Sequence, residues 1–302
     1  MIQDTDQSPY FRSRRRAIAS TIVWPALMAA SLILTALGFN AGFDGESVVF
    51  VVYLLLALAI GLLERLMPHE PQWRASDGQV GNDLLHTIIG SAAPEFLARL
   101  LVMLLFAELA GDLAARFPPS PWPSGWFFPA QIFLALFVAD FGLYWAHRLA
   151  HETMLLWRLH ALHHSPERLY FFNTGRFHFL DTFKSVILGL PLLIILGPPQ
   201  DVILWYIAFY NYVGLLTHCN IEIRRSIFDY IFNTPGVHRW HHSRVTDESK
   251  HNYGEILVLW DHIFGTHFLP RRRPPADIGI DYQVPSGFVA QLALPFTLKI
   301  DN

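Results

Sequence analysis

The chain has 302 residues, 22 Lys and Arg against 25 Asp and Glu, and a formal net charge of −3. Charged residues make up 16% of it and hydrophobic residues 52%, with a mean hydropathy of +0.30, where an ordinary soluble domain carries roughly 25% charge. This balance excludes a disordered chain and a coiled coil, argues against a nucleic-acid partner, and points to a multi-pass membrane protein.

Four long apolar stretches come first. Residues 17–39 have no charge and are long enough to cross a hydrocarbon core of about 30 Å as a helix. Residues 48–63 continue in the same way. Residues 84–110 are apolar but carry His86, Glu95 and Arg99, so one side must face protein or the interface. Residues 126–145 are apolar and aromatic, with Asp140 inside. Two shorter stretches, 186–196 and 202–216, flank Gly197, Pro198, Pro199 and Gln200 and read as a hairpin that enters and leaves on one side. Only its second arm is near spanning length. The first stretch is too long for a signal-peptide core and contains Trp24-Pro25, so it is expected to stay on the chain. The predicted fold is all-α and integral to the membrane: about four transmembrane helices, a short hairpin and a cytoplasmic histidine-rich helical cap. Residues 1–16 form a basic cytoplasmic N-terminus, and residues 17–302 a single membrane domain.

With the amino end cytoplasmic, 20 of the 22 basic residues fall on that side, which is the positive-inside arrangement. The Pro-rich loop at 118–125 is then extracytoplasmic. A bacterial inner membrane is the expected location, or the endoplasmic reticulum if the source is eukaryotic. The run Arg271, Arg272, Arg273 suits anionic headgroups, an acidic reductase or plain solvation. The single cysteine, Cys219, excludes an internal disulfide and a cysteine-based zinc finger.

Histidine is the unusual residue, with 15 copies. The first 146 residues hold only His69 and His86, and the other 156 hold thirteen. Eight sit in the windows 147–164 and 238–242, which would hold about one if the fifteen were spread evenly. HRLAH gives His147 and His151, HALHH gives His160, His163 and His164, and HRWHH gives His238, His241 and His242. Spacings of three and four place each set on one helix face. Imidazole suits iron, copper, nickel and zinc. Eight imidazoles exceed the needs of one ion, so two metals sharing a site are expected. Isolated histidines such as His69, His262 and His267 read as hydrogen-bonding or surface residues. A zinc-protease HExxH is absent, because Arg148 follows His147.

These boxes resemble those of the fatty acid hydroxylase/sterol desaturase superfamily of membrane enzymes. The surrounding text is similar too: DFGLYWAHRLAHE (140–152), THCN (217–220) and NYGEILVLWDHIFGTHF (252–268). RFHFLD (176–181) resembles the family's Arg-x-His-Pro stretch, with Phe179 in place of proline. The resemblance covers roughly residues 80–270, is nearest to a broad bacterial group with diverse substrates, and puts the catalytic core at about 126–270. It implies a non-haem di-iron centre that uses O2 as co-substrate to hydroxylate an unactivated C–H bond of a fatty acyl, sterol-like or polar lipid. A lipid or sterol desaturase with the same site is the alternative. The implied ligands are His147, His151, His160, His163, His164, His238, His241 and His242, with His178 and His218 as further ligands. Zinc could replace the two irons in a purified protein. No residue outside the metal centre is assigned to catalysis.

Ligands that are nearly all neutral nitrogens call for carboxylates that accept the outer ring N–H groups. Asp140, Glu152, Asp181 and Asp261 are candidates. Asp140 leads, because an acid inside a membrane helix usually has a specific partner. His251 and Asn252 are expected beside the site, Asn252 and Asp261 as organisers of the cap, and His86 has only its position to recommend it. No haem-attachment motif is fused to the chain, so electrons are expected from a separate protein, a ferredoxin or a cytochrome b5-like protein with its reductase. A metal transporter would need polar residues along its membrane helices, which the first two lack. An inactive scaffold would have lost box residues, and none is missing.

Overall fold

The computed structural model describes residues 14–116 and 121–297. Thirteen N-terminal residues, residues 117–120, which include the start of the Pro-rich loop, and the last five residues lie outside them, so the expected basic N-terminus is met only at Arg14–Arg16, which begin the first helix. The described residues form no strand, only the isolated bridges Pro68–Ile221, Phe232–Leu257 and Ser243–Ile278. The protein is an all-α, multi-pass membrane protein.

Helix α1 is Arg14–Asn40 and α2 is Gly45–Leu66. α3 is a continuous run: Val80–Leu85, a π-helical stretch His86–Ala92, then Ala93–Arg116. α4 is Phe128–Glu152 and α5 is Met154–His164. α6 (Phe179–Gly189) and α7 (Pro191–Leu196) make one kinked rod, and α8 (Gln200–Thr217) runs back beside it. The short helices α9 (Pro235–His241) and α10 (Leu259–Phe264) build the cap, and α11 (Phe288–Thr297) closes the described chain. Five segments are long and apolar enough to span a membrane: Arg14–Asn40, Gly45–Leu66, Val80–Phe106, Phe128–Glu152 and Phe179–Leu196.

The hairpin departs from its sequence reading, in which only the second arm neared spanning length: it is the first arm that counts among the five spans. Its first arm starts at Phe179, not Val186, and its 18 residues give a rod of about 27 Å. Pro191 starts α7 after the break at Leu190, and Gly197, at φ 65°, ends it in the left-handed region. α8 has the same length, 18 residues, with Val202, Tyr206, Ala208 and Tyr212 buried. The Tyr212 hydroxyl lies 2.7 Å from Thr35 Oγ1, tying α8 to α1.

Helix contacts are close where side chains are small. At Gly142 on α4 a Cβ would lie 2.3 Å from the Leu188 carbonyl oxygen of α6, so only glycine lets these two backbones meet. Outward faces carry Ile33, Leu37, Phe50, Leu58, Leu104 and similar residues, all exposed in the isolated protein, as a lipid-facing surface requires.

One end of the bundle collects the polar contacts. The Arg224 N–H donates to the Ser20 carbonyl of α1 at 2.9 Å. Glu64 of α2 accepts from the N–H groups of Phe171 (2.9 Å) and Asn220 (2.8 Å). Asp83 of α3 accepts from Arg176 and Tyr170, each at 2.6 Å. The N-terminal end of α1, the C-terminal ends of α2, α4 and α8, and the N-terminal ends of α3 and α6 therefore share the side on which the cap sits. The basic run is part of this cap. Arg272 lies over the Trp240 ring at 4.3 Å and pairs with Glu248, while Arg273 bridges Glu70 (3.1 Å) and Glu222 (3.2 Å).

Candidate metal centre

The three boxes meet at this end. His147 and His151 lie one turn apart at the end of α4, His160, His163 and His164 on the last turns of α5, and His238 and His241 on α9, with His242 directly after it. Thr153 turns the chain between α4 and α5 in an extended conformation, folding the second box back over the first. His218 follows the last turn of α8.

Nine imidazoles form two adjoining groups: His147, His151, His160, His164 and His241, and His163, His218, His238 and His242. Within each group the candidate ligand nitrogens all lie within 4.8 Å of one another. The groups touch: the His164 and His242 rings stack at 4.3 Å, and those of His160 and His163 are 5.2 Å apart. All but the half-buried His151 are buried.

Outer hydrogen bonds fix the tautomer of four rings. Nδ1–H of His147 donates to the Tyr253 carbonyl (2.9 Å), that of His241 to the His251 carbonyl (2.7 Å), that of His160 to Asp181 Oδ2 (2.8 Å) and that of His218 to Asn173 Oδ1 (3.0 Å). Each of these neutral rings is left with a bare Nε2 lone pair facing the interior. Nε2 of His147 and His241 are buried with no partner, as are Nε2 of His151 and Nδ1 of His163 and His242. Nε2 of His160 and His218 face only another imidazole, His164 at 3.1 Å and His238 at 3.0 Å. Buried nitrogens without donors are costly unless a cation takes them up. The donor set therefore fits divalent transition metals of the kind imidazole prefers.

The expected neighbours take different places around the rings, and Asp140, the leading candidate, is not beside one. Asp140 touches no imidazole. Its carboxylate accepts the N–H groups of Glu255 (3.2 Å), Ile256 (2.9 Å) and Leu257 (3.2 Å). Asp261 accepts from Tyr253 N–H and Gly254 N–H, each at 2.8 Å, and from Thr266. Asn252, at φ 59°, bonds the carbonyls of Val237 (3.2 Å) and Phe268 (2.8 Å) and the Phe268 N–H (2.7 Å). These three residues hold the 251–257 loop, whose carbonyls orient His147 and His241. His251 contributes its carbonyl, while its ring packs on Phe268 at 4.9 Å. Of the acids singled out from the sequence, Asp181 meets a box histidine, and Lys184 shares it at 2.6 Å. Glu152 pairs with Arg148 at 2.7 Å.

His178 joins neither group. It is the N-cap of α6, its Nδ1 accepting from Leu180 N–H at 3.2 Å and its Nε2 lying 3.1 Å from the Leu292 carbonyl. Both nitrogens are thus occupied by backbone. His86 meets Gln291 Oε1 at 2.9 Å, also outside the groups. Sequence reasoning missed Asn173, which orients His218, Phe177, whose ring stacks on His163 at 4.1 Å, and Glu255, whose Oε1 lies 3.3 Å from His147 Nδ1. Glu255 stood in plain view in the NYGE stretch. Nothing in the spacing marked Asn173 or Phe177.

Burial and the neighbouring rings push His163, His164, His238 and His242 well below the usual imidazole value, and burial brings His218 and His241 to about 3. The folded state therefore refuses protons that the unfolded chain accepts below its ordinary value of 6.5. Relative stability is complete above that value and falls as pH drops from it toward 3. Metal binding needs neutral imidazoles and weakens in the same direction. Thermal unfolding and retained metal, followed along a pH series in detergent, are expected to decline together below 6.5 and to be flat above it.

Residues 132–266 match the family model described as fatty acid hydroxylase. Over 293 residues, 95% of this chain and 87% of the relative, the sequence is 44% identical to the ornithine lipid hydroxylase OlsE of Rhizobium tropici. It is 29% identical to an alkylglycerol monooxygenase of Danio rerio over 72% of this chain and 46% of that protein. It is 32% identical to the Delta(7)-sterol 5(6)-desaturase ERG3A of Gibberella zeae over 50% of this chain and 41% of that protein. No solved structure matches.

Proposed function

From the fact that this chain belongs to the fatty acid hydroxylase family, we propose that this membrane oxidoreductase holds two iron ions in its paired histidine groups and hydroxylates a C–H bond of a polar membrane lipid. One observation carries the reading: nine imidazoles from four separate segments present inward nitrogens in two adjoining sets. His147, His151, His160, His164 and His241 would hold one ion, and His163, His218, His238 and His242 the other. The ions, when bound, supply O2 activation and the oxidising power to remove hydrogen from an unactivated carbon.

The chain's own groups do the rest. Asp181, Asn173 and the carbonyls of Tyr253 and His251 keep four rings in the ligating tautomer, as outer partners of metal-bound histidines do. Phe177 stacks flat on the His163 ring and limits its orientation. Burial raises the Glu255 carboxyl to about 7, and its Oε1 lies at the edge of the site, 3.3 Å from His147 Nδ1. Electrons come from a separate ferredoxin or cytochrome b5-like donor. The site opens on the cytoplasmic face of a bacterial cell membrane, a placement supported by the 20 basic residues on that side.

The ornithine lipid hydroxylase relative makes an ornithine lipid the first substrate to try. The test is metal analysis of detergent-purified protein together with lipid mass spectrometry of cells that make ornithine lipids and express the protein. Two iron equivalents and a lipid carrying one added oxygen are expected. One equivalent or none defeats the paired site. A lipid that loses two hydrogens instead marks a desaturase, and unaltered lipids reject the substrate class.

A further inference from the structure

Helix α11, Phe288–Thr297, contains no charged residue. Its inner face is anchored by polar contacts. Gln291 meets His86 (2.9 Å), Gln79 (2.9 Å) and the Pro285 carbonyl (2.7 Å). The Leu292 carbonyl meets His178, and Arg158 of α5 donates to the Pro295 carbonyl at 3.4 Å. The helix thus lies across the starts of two spanning helices, α3 and α6, and reaches α5.

Its outer face is apolar and is left uncovered by the described residues. Val289 is 78% exposed and Phe296 72%, and Ala293 lies between them on the same helical face. The elements it crosses expose apolar residues as well: Val80 and Leu84 of α3, Phe179 and Leu180 of α6, and Met154 and Leu155 of α5. Two of those elements are membrane spans, whose outward faces meet lipid. Surrounding water would make this much exposed apolar surface at one end of the bundle costly, whereas lipid would not.

We infer that α11 is an in-plane interfacial helix whose Val289–Phe296 face is seated in the lipid leaflet on the histidine side. Such helices sink their apolar face about 5–10 Å into the headgroup–acyl boundary. Held by Gln291 and Arg158, α11 forms a lipid-facing wall beside the entrances of α3 and α6. The inference uses only the membrane embedding of the fold and does not depend on which metal or lipid the site takes.

The test places a nitroxide label in full-length protein reconstituted into phosphatidylcholine vesicles. Cys219 is buried and its thiol is pushed up to about 12 by burial, so it gives no background labelling. Val289→Cys and Phe296→Cys are compared with Leu104→Cys on the outer face of α3 and Glu167→Cys in the cap, whose native side chain is 83% exposed. At 289 and 296, collision with oxygen relative to a water-soluble nickel chelate is expected to exceed the cap label several-fold and to stay at or below that of the α3 label, which lies within a spanning helix. Values at both positions equal to those at 167 would overturn the inference.

Discussion

Replacing His163 with alanine is expected to abolish metal binding in its group and lipid oxidation with it, while the protein still inserts in the membrane. His163 belongs to the four-histidine group and has His218 and His242 within 4.9 Å, ring to ring. Its loss leaves three nitrogens for an ion that four would hold. Removing an outer partner of a metal-bound histidine typically costs about 10–100-fold in affinity or activity, and removing a ligand costs more. His178→Ala provides the contrast. That change deletes an N-cap of α6 and is expected to cost about 1 kcal/mol of stability with full metal content. Metal analysis and turnover of the two purified variants decide the matter. Turnover by His163→Ala, or metal loss in His178→Ala, would reassign the ligands.

Asp140→Leu is expected to be the most destabilising single change in the spanning helices. The carboxylate serves three backbone N–H groups, of Glu255, Ile256 and Leu257. Each buried donor left without an acceptor costs about 1–3 kcal/mol, so the sum is about 3 kcal/mol or more, a large share of the roughly 5–15 kcal/mol that holds a typical protein. The Tyr253 carbonyl that orients His147 belongs to the same loop, so metal should leave as the loop loosens. Asp140→Asn keeps one acceptor oxygen and is expected to fall between the two. The check is thermal unfolding in detergent alongside metal content. An Asp140→Leu variant with unchanged unfolding and only weaker metal binding would make Asp140 an ordinary partner of the ligands after all.

Much of the candidate site was legible because histidine clustering is a local signal. Spacings of three and four on a helix fix a face without any knowledge of the fold. His218 was reachable because the hairpin reading returned it to the side of the boxes. His178 was not, since a histidine at the start of a helix looks the same in sequence whether it caps the backbone or binds a metal. The first hairpin arm was read short because Asp181 and Lys184 interrupt its apolar run. In the fold they meet each other at 2.6 Å, and Asp181 also serves His160.

The amino-acid order by itself determined the membrane class, the positions of the long apolar helices, and which residues could bind metal. These follow from composition and from contacts three or four residues apart. Only the tertiary structure decided how nine imidazoles divide into two groups, and which acid serves which atom. A carboxylate in a buried site goes to the nearest unmet donor. For Asp140 those donors are backbone N–H groups 115–117 residues away along the chain, a proximity that no local spacing encodes.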